Sequence, residues 1–183
     1  MAPACRTPAG WCSCPALTGL GAPHWDPDAR GAVFGITRGT TRAHLARATL
    51  EAIAFESEGR VRRDGRRCRA GHAAVLRVDG AGPAGDLLMQ MQADQLQLPV
   101  ERPEVGETTA LGAAFLAGLG TGVWSSLDEI AATWRLDRRF EPEGARRGLA
   151  DARWCRAIER SKGWAAVHTV RRFWQEPGMN WAA

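Results

Sequence analysis

Hydrophobic positions along the chain follow two spacings, one typical of short strands and one typical of helices. Aliphatic and β-branched runs bounded by Gly or Pro predict strands, and apolar residues three and four positions apart predict helices. The predicted strands are residues 32–36, 74–78 and 98–101. The predicted helices are residues 42–56, one from about 84, one from 107, one near 126–134 and one at 149–164. Strands and helices follow one another in turn, which predicts an α/β layered fold.

Three stretches lie outside this pattern. Residues 1–14 carry Pro, Cys and Gly without periodicity and predict a disordered lead. Residues 59–73 contain an arginine-rich run without an apolar face, for which we predict a loop. Residues 165–183 form a divergent tail. The domain is therefore expected to span residues 15–164, with the cluster of turn-forming residues at 15–31 as an ordered loop.

Length and composition suit one globular domain. The chain has 183 residues, of which 45% are hydrophobic and 24% charged. It shows neither an apolar run long enough to cross a membrane nor a secretory signal at its start. We therefore expect a cytoplasmic protein without a membrane partner.

The positive charge is mild and comes almost entirely from arginine. The net charge is +4 and Lys162 is the only lysine. A nucleic-acid site would need aromatic residues among the basic ones, and the run from Arg60 to Arg69 has none. We expect no nucleic-acid partner and interpret the run as a solvated surface. One hypothesis for its origin is a shift of reading frame near residues 57–58.

The cysteines give no sign of a disulfide framework or a metal site. There are five, an odd number, at irregular spacings. Cys12-Ser13-Cys14 is similar to half of a metal site, but no second Cys or His pair completes it. We predict reduced thiols and no metal ligand.

Two sets of residues form specific patterns. The first is Gly31-x-Val33-x-Gly35-Ile36, seven residues, His44-Leu45, two residues and Ala48-Thr49-Leu50-Glu51. The second consists of the segments PALTGLGAPHWDPDARGAVFGITRG at 15–39, LRVDG at 76–80, LLMQMQAD at 87–94, ERPEV at 101–105, ETTALGAAFLAGLGTGVW at 107–124 and ERSKGW at 159–164. The first set matches a signature of the FGGY family of carbohydrate kinases at every defined position, and the second resembles segments of its glycerol kinases, in the same order. Together they cover about residues 15–57 and 74–164.

The resemblance implies an incomplete C-terminal lobe of an actin-like, ribonuclease H-like ATPase fold. It implies ATP and Mg²⁺ as cofactors, and transfer of the γ-phosphoryl group of ATP to glycerol, giving glycerol 3-phosphate. The catalytic base and the glycerol-binding groups would lie in an N-terminal part, so no residue here is assigned as catalytic. We expect this fragment alone to bind ATP or ADP, to meet glycerol only when the missing lobe is supplied, and to be inactive. A homo-oligomer is left open.

In the family, the turn after the second strand lies against the nucleotide, with the form Asp-Gly-Gly, three small residues and Asn. The corresponding residues here are Asp79, Gly80, Ala81 and Gly85, which we predict to bind the nucleotide. Glycine lets the backbone approach a ligand closely, and an Asn amide can donate a hydrogen bond. Because Gly85 has no side-chain donor, the resemblance implies weakened contact with adenine.

Other interpretations stay open at this point. The turn could be a plain strand-to-helix connection, and Asp79 could cap the helix that follows. The whole chain could be a non-catalytic nucleotide-binding or interaction module derived from an FGGY kinase. His24 is expected to be a packed loop residue rather than a base, and Trp25 to lie in the core.

Overall fold

A computed structural model describes residues 10–67, 74–143 and 148–166, and for 62–67 and 148–151 it describes the backbone alone. In chain order the elements are β1 (Cys12–Cys14), β2 (Ala32–Phe34), α1 (Arg42–Arg67), β3 (Leu76–Arg77), α2 (Asp86–Leu96), β4 (Val100–Pro103), α3 (Thr108–Thr121), α4 (Leu127–Ala131), β5 (Leu136–Phe140) and α5 (Gly148–Ser161). They form two compact units: one combines Met1–Ile53 with Gly148–Ala183, and the other is Ala54–Arg147. The predicted α/β class is confirmed.

In the first unit, β1 pairs antiparallel with β2, and α5 packs on both strands. The inner face of α5 consists of Trp154, Ala157, Ile158 and Ser161, all buried. Their spacing of three and four residues is the one expected for a helix that covers a sheet on one side. The predicted terminal helix is therefore present, although it ends at Ser161.

The prediction of a disordered lead is wrong for residues 10–14. Trp11, Cys12 and Cys14 are buried, and Cys12 pairs with Phe34 across the two strands. A strand of three residues is too short to show alternation, and it becomes stable only through its partner strand and the helix that covers it. Residues 1–9 lie outside the described ranges.

Helix α1 begins as predicted but extends much further. The N–H of Thr41 donates to His44 Nδ1 at 3.1 Å, and the Thr41 hydroxyl lies 2.8 Å from the same nitrogen, which satisfies polar groups at the helix start. The predicted loop is wrong for residues 59–67, because α1 continues to Arg67. Arginine has a high helix propensity, and extending an existing helix needs no apolar face. Residues 68–73 lie outside the described ranges.

In the second unit, β3, β4 and β5 form a three-stranded sheet in that order. β3 is parallel to β4, and β5 is antiparallel to β4. The core between the sheet and α2 contains Leu88, Met89, Met91, Val100 and Phe140, all buried. The sequence pattern did not predict β5, because four of its five residues are exposed. None of the helices among the described residues is long and apolar enough to cross a membrane.

Candidate functional site

The segment from Asp79 to Asp86 connects β3 to α2 and contains the four predicted nucleotide-binding residues; we call it the β3–α2 turn. Gly80 has a φ of +83°, a left-handed conformation that favours glycine, and its N–H donates to the carbonyl of Gly106 at 2.8 Å. Asp79, Gly80, Ala81 and Gly85 are all exposed. The structure thus brings the four predicted residues together on one open surface.

The middle of the β3–α2 turn is a short 3-10 helix, Gly82–Ala84, in which Pro83 alone is buried. Gly85 follows with φ −89° and ψ 102°, an extended conformation open to any residue. A Cβ at Gly85 would meet only the carbonyl oxygen of Gly82, at 3.9 Å. The space and the backbone at Gly85 would therefore accept the Asn that the family pattern has there.

Asp79 is held by α3 and not by the helix that follows it. Its carboxylate accepts a hydrogen bond from the hydroxyl of Thr108, the first residue of α3. This contact fixes the start of the β3–α2 turn to the first residue of α3, and the Gly80–Gly106 hydrogen bond fixes it to the loop before that helix.

The end of the turn is held by Arg102 of β4. Its guanidinium donates to the carbonyl of Pro83 and to Asp86, both at 2.8 Å, and to Asp137 of β5 at 2.6 Å. Arg138 donates to the other carboxylate oxygen of Asp86 at 2.6 Å. The hydrogen bonds with Asp137 and then Asp86 raise the pKa of Arg102, which keeps the side chain charged. Sequence reasoning did not identify the four side chains of this cluster, which are Asp86, Arg102, Asp137 and Arg138.

A cavity of about 380 Å³ is lined in part by Thr108, and none of the four predicted residues lines it. Its walls are mainly apolar, with Leu111 and Phe115 from α3 and Trp134 after α4. At its rim the guanidinium of Arg77 lies 4.3 Å from the centre of the Trp134 ring, a cation–π geometry. Thr108 belongs to both features, since it lines the cavity and binds Asp79.

The remaining candidates fall outside this region. The prediction that Trp25 lies in the core is wrong, since it is 72% exposed with a φ of 52° in the loop after Gly21. His24 is half-buried in the same loop. Cys12, Cys14 and Cys155 are free, and burial raises the pKa of the Cys12 thiol to about 11.

The fold is that of the C-terminal domains of sugar kinases. A crystal structure of Plasmodium falciparum glycerol kinase with ADP matches with a TM-score of 0.75 and 34% identity, over 87% of this chain and 32% of that one. A xylulose kinase from Rhodospirillum rubrum matches with a TM-score of 0.59 and 24% identity, over 94% of this chain and 33% of that one. The predicted actin-like kinase fold is confirmed.

A family model described as the FGGY family of carbohydrate kinases, C-terminal domain, matches residues 2–121. The chain belongs to this family, and the resemblance seen in its motifs is confirmed. It is 60% identical over 158 residues to a glycerol kinase of Aromatoleum aromaticum and 60% identical over 153 residues to one of Dechloromonas aromatica. These alignments cover 84% and 82% of this chain but only 31% and 30% of the relatives. The chain thus spans about a third of the length of these proteins.

Proposed function

We propose that this chain provides the nucleotide-binding part of an ATP-dependent glycerol kinase, which forms glycerol 3-phosphate. The observation that carries the proposal is the exposed β3–α2 turn, in a domain 60% identical to a curated glycerol kinase. The solved glycerol kinase that it resembles contains ADP. The nucleotide-binding residues would be Asp79, Gly80, Ala81 and Gly85.

The geometry of the turn supports close approach of a nucleotide to the backbone. A Cβ at Gly80 or at Gly82 would have no heavy atom within 4 Å, so the space above both glycines is open. Backbone without side chains can lie directly against a ring or a phosphate. Ala81 adds one exposed methyl group, and Gly85 offers no side-chain hydrogen bond, so the affinity for ADP should be modest.

Mg²⁺ would enter with the phosphates of ATP, whose charge it neutralises. Within residues 10–67, 74–143 and 148–166, no group of three or more His, Cys, Asp or Glu is arranged to hold a metal ion. Asp79 and Asp86 are already engaged by Thr108 and by two arginines. As the resemblance implies, the catalytic base would lie in the part of the relatives' length that this chain does not cover, and we propose no metal ligand among the described residues.

Phosphorylation of glycerol would require the two thirds of the relatives' length that this chain does not cover. These 183 residues alone should bind ADP and show no turnover in a coupled assay of glycerol phosphorylation. The alternative, a non-catalytic module derived from the family, is not favoured, because identity to curated glycerol kinases reaches 60%.

Calorimetric titration with ADP tests the proposal, with Gly80→Ala as the variant and Gly122→Ala as its matched control. Both glycines have a similar positive φ, +83° and +78°, and both have open space at the Cβ position. Alanine in this conformation costs roughly 1–2 kcal/mol at either place. Only Gly80→Ala should weaken ADP binding, because Gly122 lies at the far end of α3. Absence of ADP binding by the unaltered chain, or equal losses in both variants, would overturn the proposal.

A further inference from the structure

We propose that Arg102 is a positioning residue for the nucleotide: it holds the second half of the β3–α2 turn in the shape that binds. The inference rests on the proposed function, because it concerns the same turn. Arg102 lies outside the turn, on β4, and contacts it through the Pro83 carbonyl and the Asp86 carboxylate, each 2.8 Å from its Nη1.

The two halves of the turn have separate supports. The first half is held by the contacts from Asp79 to Thr108 and from Gly80 to Gly106. The hydrogen bonds internal to the second half, Ala84 N–H to Ala81 and Gly85 N–H to Gly82, are long, at 3.3 Å each. Gly85 is also tied to α2, because its carbonyl accepts the N–H groups of Leu88 at 3.0 Å and Met89 at 3.2 Å. The contacts of Arg102 should therefore matter most for Pro83 and Ala84, and for how they join the start of α2.

Arg102 in turn is fixed by the sheet. It extends from β4, and its Nε donates to Asp137 on the neighbouring strand β5 at 2.6 Å. Its side chain is only 17% exposed. Of its two hydrogen bonds to the turn, the one to Pro83 is partly buried and the one to Asp86 is exposed. Both use a charged donor, and such hydrogen bonds are stronger than neutral ones.

Only arginine can make this set of contacts. The planar guanidinium directs Nε toward Asp137 and Nη1 toward the turn at the same time. A lysine ammonium is a single point charge and cannot hydrogen-bond to Asp137 on β5 and to both acceptors in the turn at the same time. Arg138 does not replace Arg102, because its hydrogen bond to the turn is to the second carboxylate oxygen of Asp86, whereas the Pro83 carbonyl is bound by Arg102.

The test compares Arg102→Lys with Arg139→Gln in the full chain. Arg139 lies on the same sheet and pairs with Glu101 and Glu141, outside the turn. For each protein we would measure amide hydrogen exchange at Ala84 and Gly85 and the Kd for ADP, at a temperature where all are folded. If Arg102→Lys does not fold, Asp137→Asn takes its place, since it removes only the charge of the acceptor on β5 and so weakens that anchor.

We expect Arg102→Lys to speed amide hydrogen exchange at Ala84 and Gly85 and to raise the Kd for ADP about tenfold. The reason is that the apparent affinity falls in proportion to the fraction of molecules whose turn has the binding conformation. Asp137→Asn should do the same to a smaller extent, and Arg139→Gln should do neither. Unchanged exchange in Arg102→Lys would overturn the role of Arg102 as a support. Faster exchange with an unchanged Kd would overturn its role toward the nucleotide. If the unaltered chain does not bind ADP, the proposed function fails, and exchange still decides whether Arg102 supports the turn.

Discussion

Gly80 and Gly85 serve the β3–α2 turn in different ways. Gly80 has a left-handed φ of +83°, which a side chain would strain, whereas Gly85 has an ordinary extended conformation. Replacement of Gly80 should therefore damage the turn, and replacement of Gly85 should not. This difference makes Gly85 the position at which binding can be improved.

Gly85→Asn should lower the Kd for ADP about tenfold, because one added neutral hydrogen bond is worth about 0.5–1.5 kcal/mol. Asn at the N-cap of α2 should also add a few tenths of a kcal/mol to stability. Calorimetry with ADP measures the first effect and urea unfolding the second. Gly21→Asn is the control, since Gly21 is equally exposed and open but lies in the other unit. Equal affinities for Gly85→Asn and the unaltered chain would contradict the prediction.

Asp26 is a second residue whose side chain organises backbone. Its carboxylate accepts N–H groups of Gly163 and Asp28 at 2.8 Å and of Ala29 at 3.1 Å, and it thereby ties the loop at residues 15–31 to the end of α5. The hydrogen bond from Gly163 is the main reason why the pKa of Asp26 is lowered. A group with a lowered folded-state pKa contributes stability above its unfolded pKa and loses it as the pH falls through the folded value.

Asp26→Asn should therefore lower the urea midpoint at pH 7. The difference from the unaltered chain should begin to shrink as the pH falls below about 4 and disappear only below the lowered folded-state pKa of Asp26. Asp28→Asn removes the same charge two residues away and serves as the control. Urea unfolding monitored by tryptophan fluorescence from pH 7 to pH 2.5 would measure both. A difference that stays constant over this range would show that ionisation of Asp26 does not matter.

At the scale of elements, α3 shows where small residues are required. Among the glycines of this helix, a close neighbour is found at Gly118. A Cβ there would lie 2.1 Å from the Trp124 ring, whereas one at Gly120 would have nothing within 4 Å. The chain after α3 turns back so that Trp124 covers Gly118.

Gly118→Ala should destabilise the protein by about 1–3 kcal/mol, the usual result of overpacking. Gly120→Ala, in the same helix, should stabilise it by about 0.5–1 kcal/mol because alanine favours the helix. Both values follow from urea unfolding. Combining Gly118→Ala with Trp124→Ala should remove most of the clash. Similar free energies for Gly118→Ala and Gly120→Ala would mean that Trp124 does not constrain α3.

The elements also show what a sequence can predict. The longer helices and the core strands β3 and β4 leave apolar patterns that predict them within two or three residues, apart from the end of α1. Strand β1 is short and its pairing partner lies 18 or more residues away in the sequence, and strand β5 is itself mostly exposed, so local patterns predict neither strand. The turn residues were identified by resemblance, but Arg102 was not, because its partners Asp86 and Asp137 are brought together only by the folded sheet.

For the whole molecule, exposed apolar residues around α3 and α4 favour self-association in solution. Leu116, Val123 and Leu127 are exposed by 71%, 67% and 70%. Exposed hydrophobic surface favours association. We therefore predict that this chain, studied alone, associates with itself as its concentration rises.

Leu116→Lys should reduce this association, and light scattering over a range of concentrations measures it. Thr121→Lys is the control, because it adds the same charge to an exposed polar position of α3. A chain that stays monomeric throughout, or equal effects of the two substitutions, would refute the prediction.

Thr108 connects the cavity to the β3–α2 turn. Thr108 lines the cavity, and its hydroxyl donates a hydrogen bond to the carboxylate of Asp79 at the start of the β3–α2 turn. A small molecule that bound in the cavity and shifted the first turn of α3 would weaken or strengthen this hydrogen bond, and with it the affinity of the turn for ADP. By thermodynamic reciprocity, ADP would then change the affinity of the cavity for that molecule by the same factor.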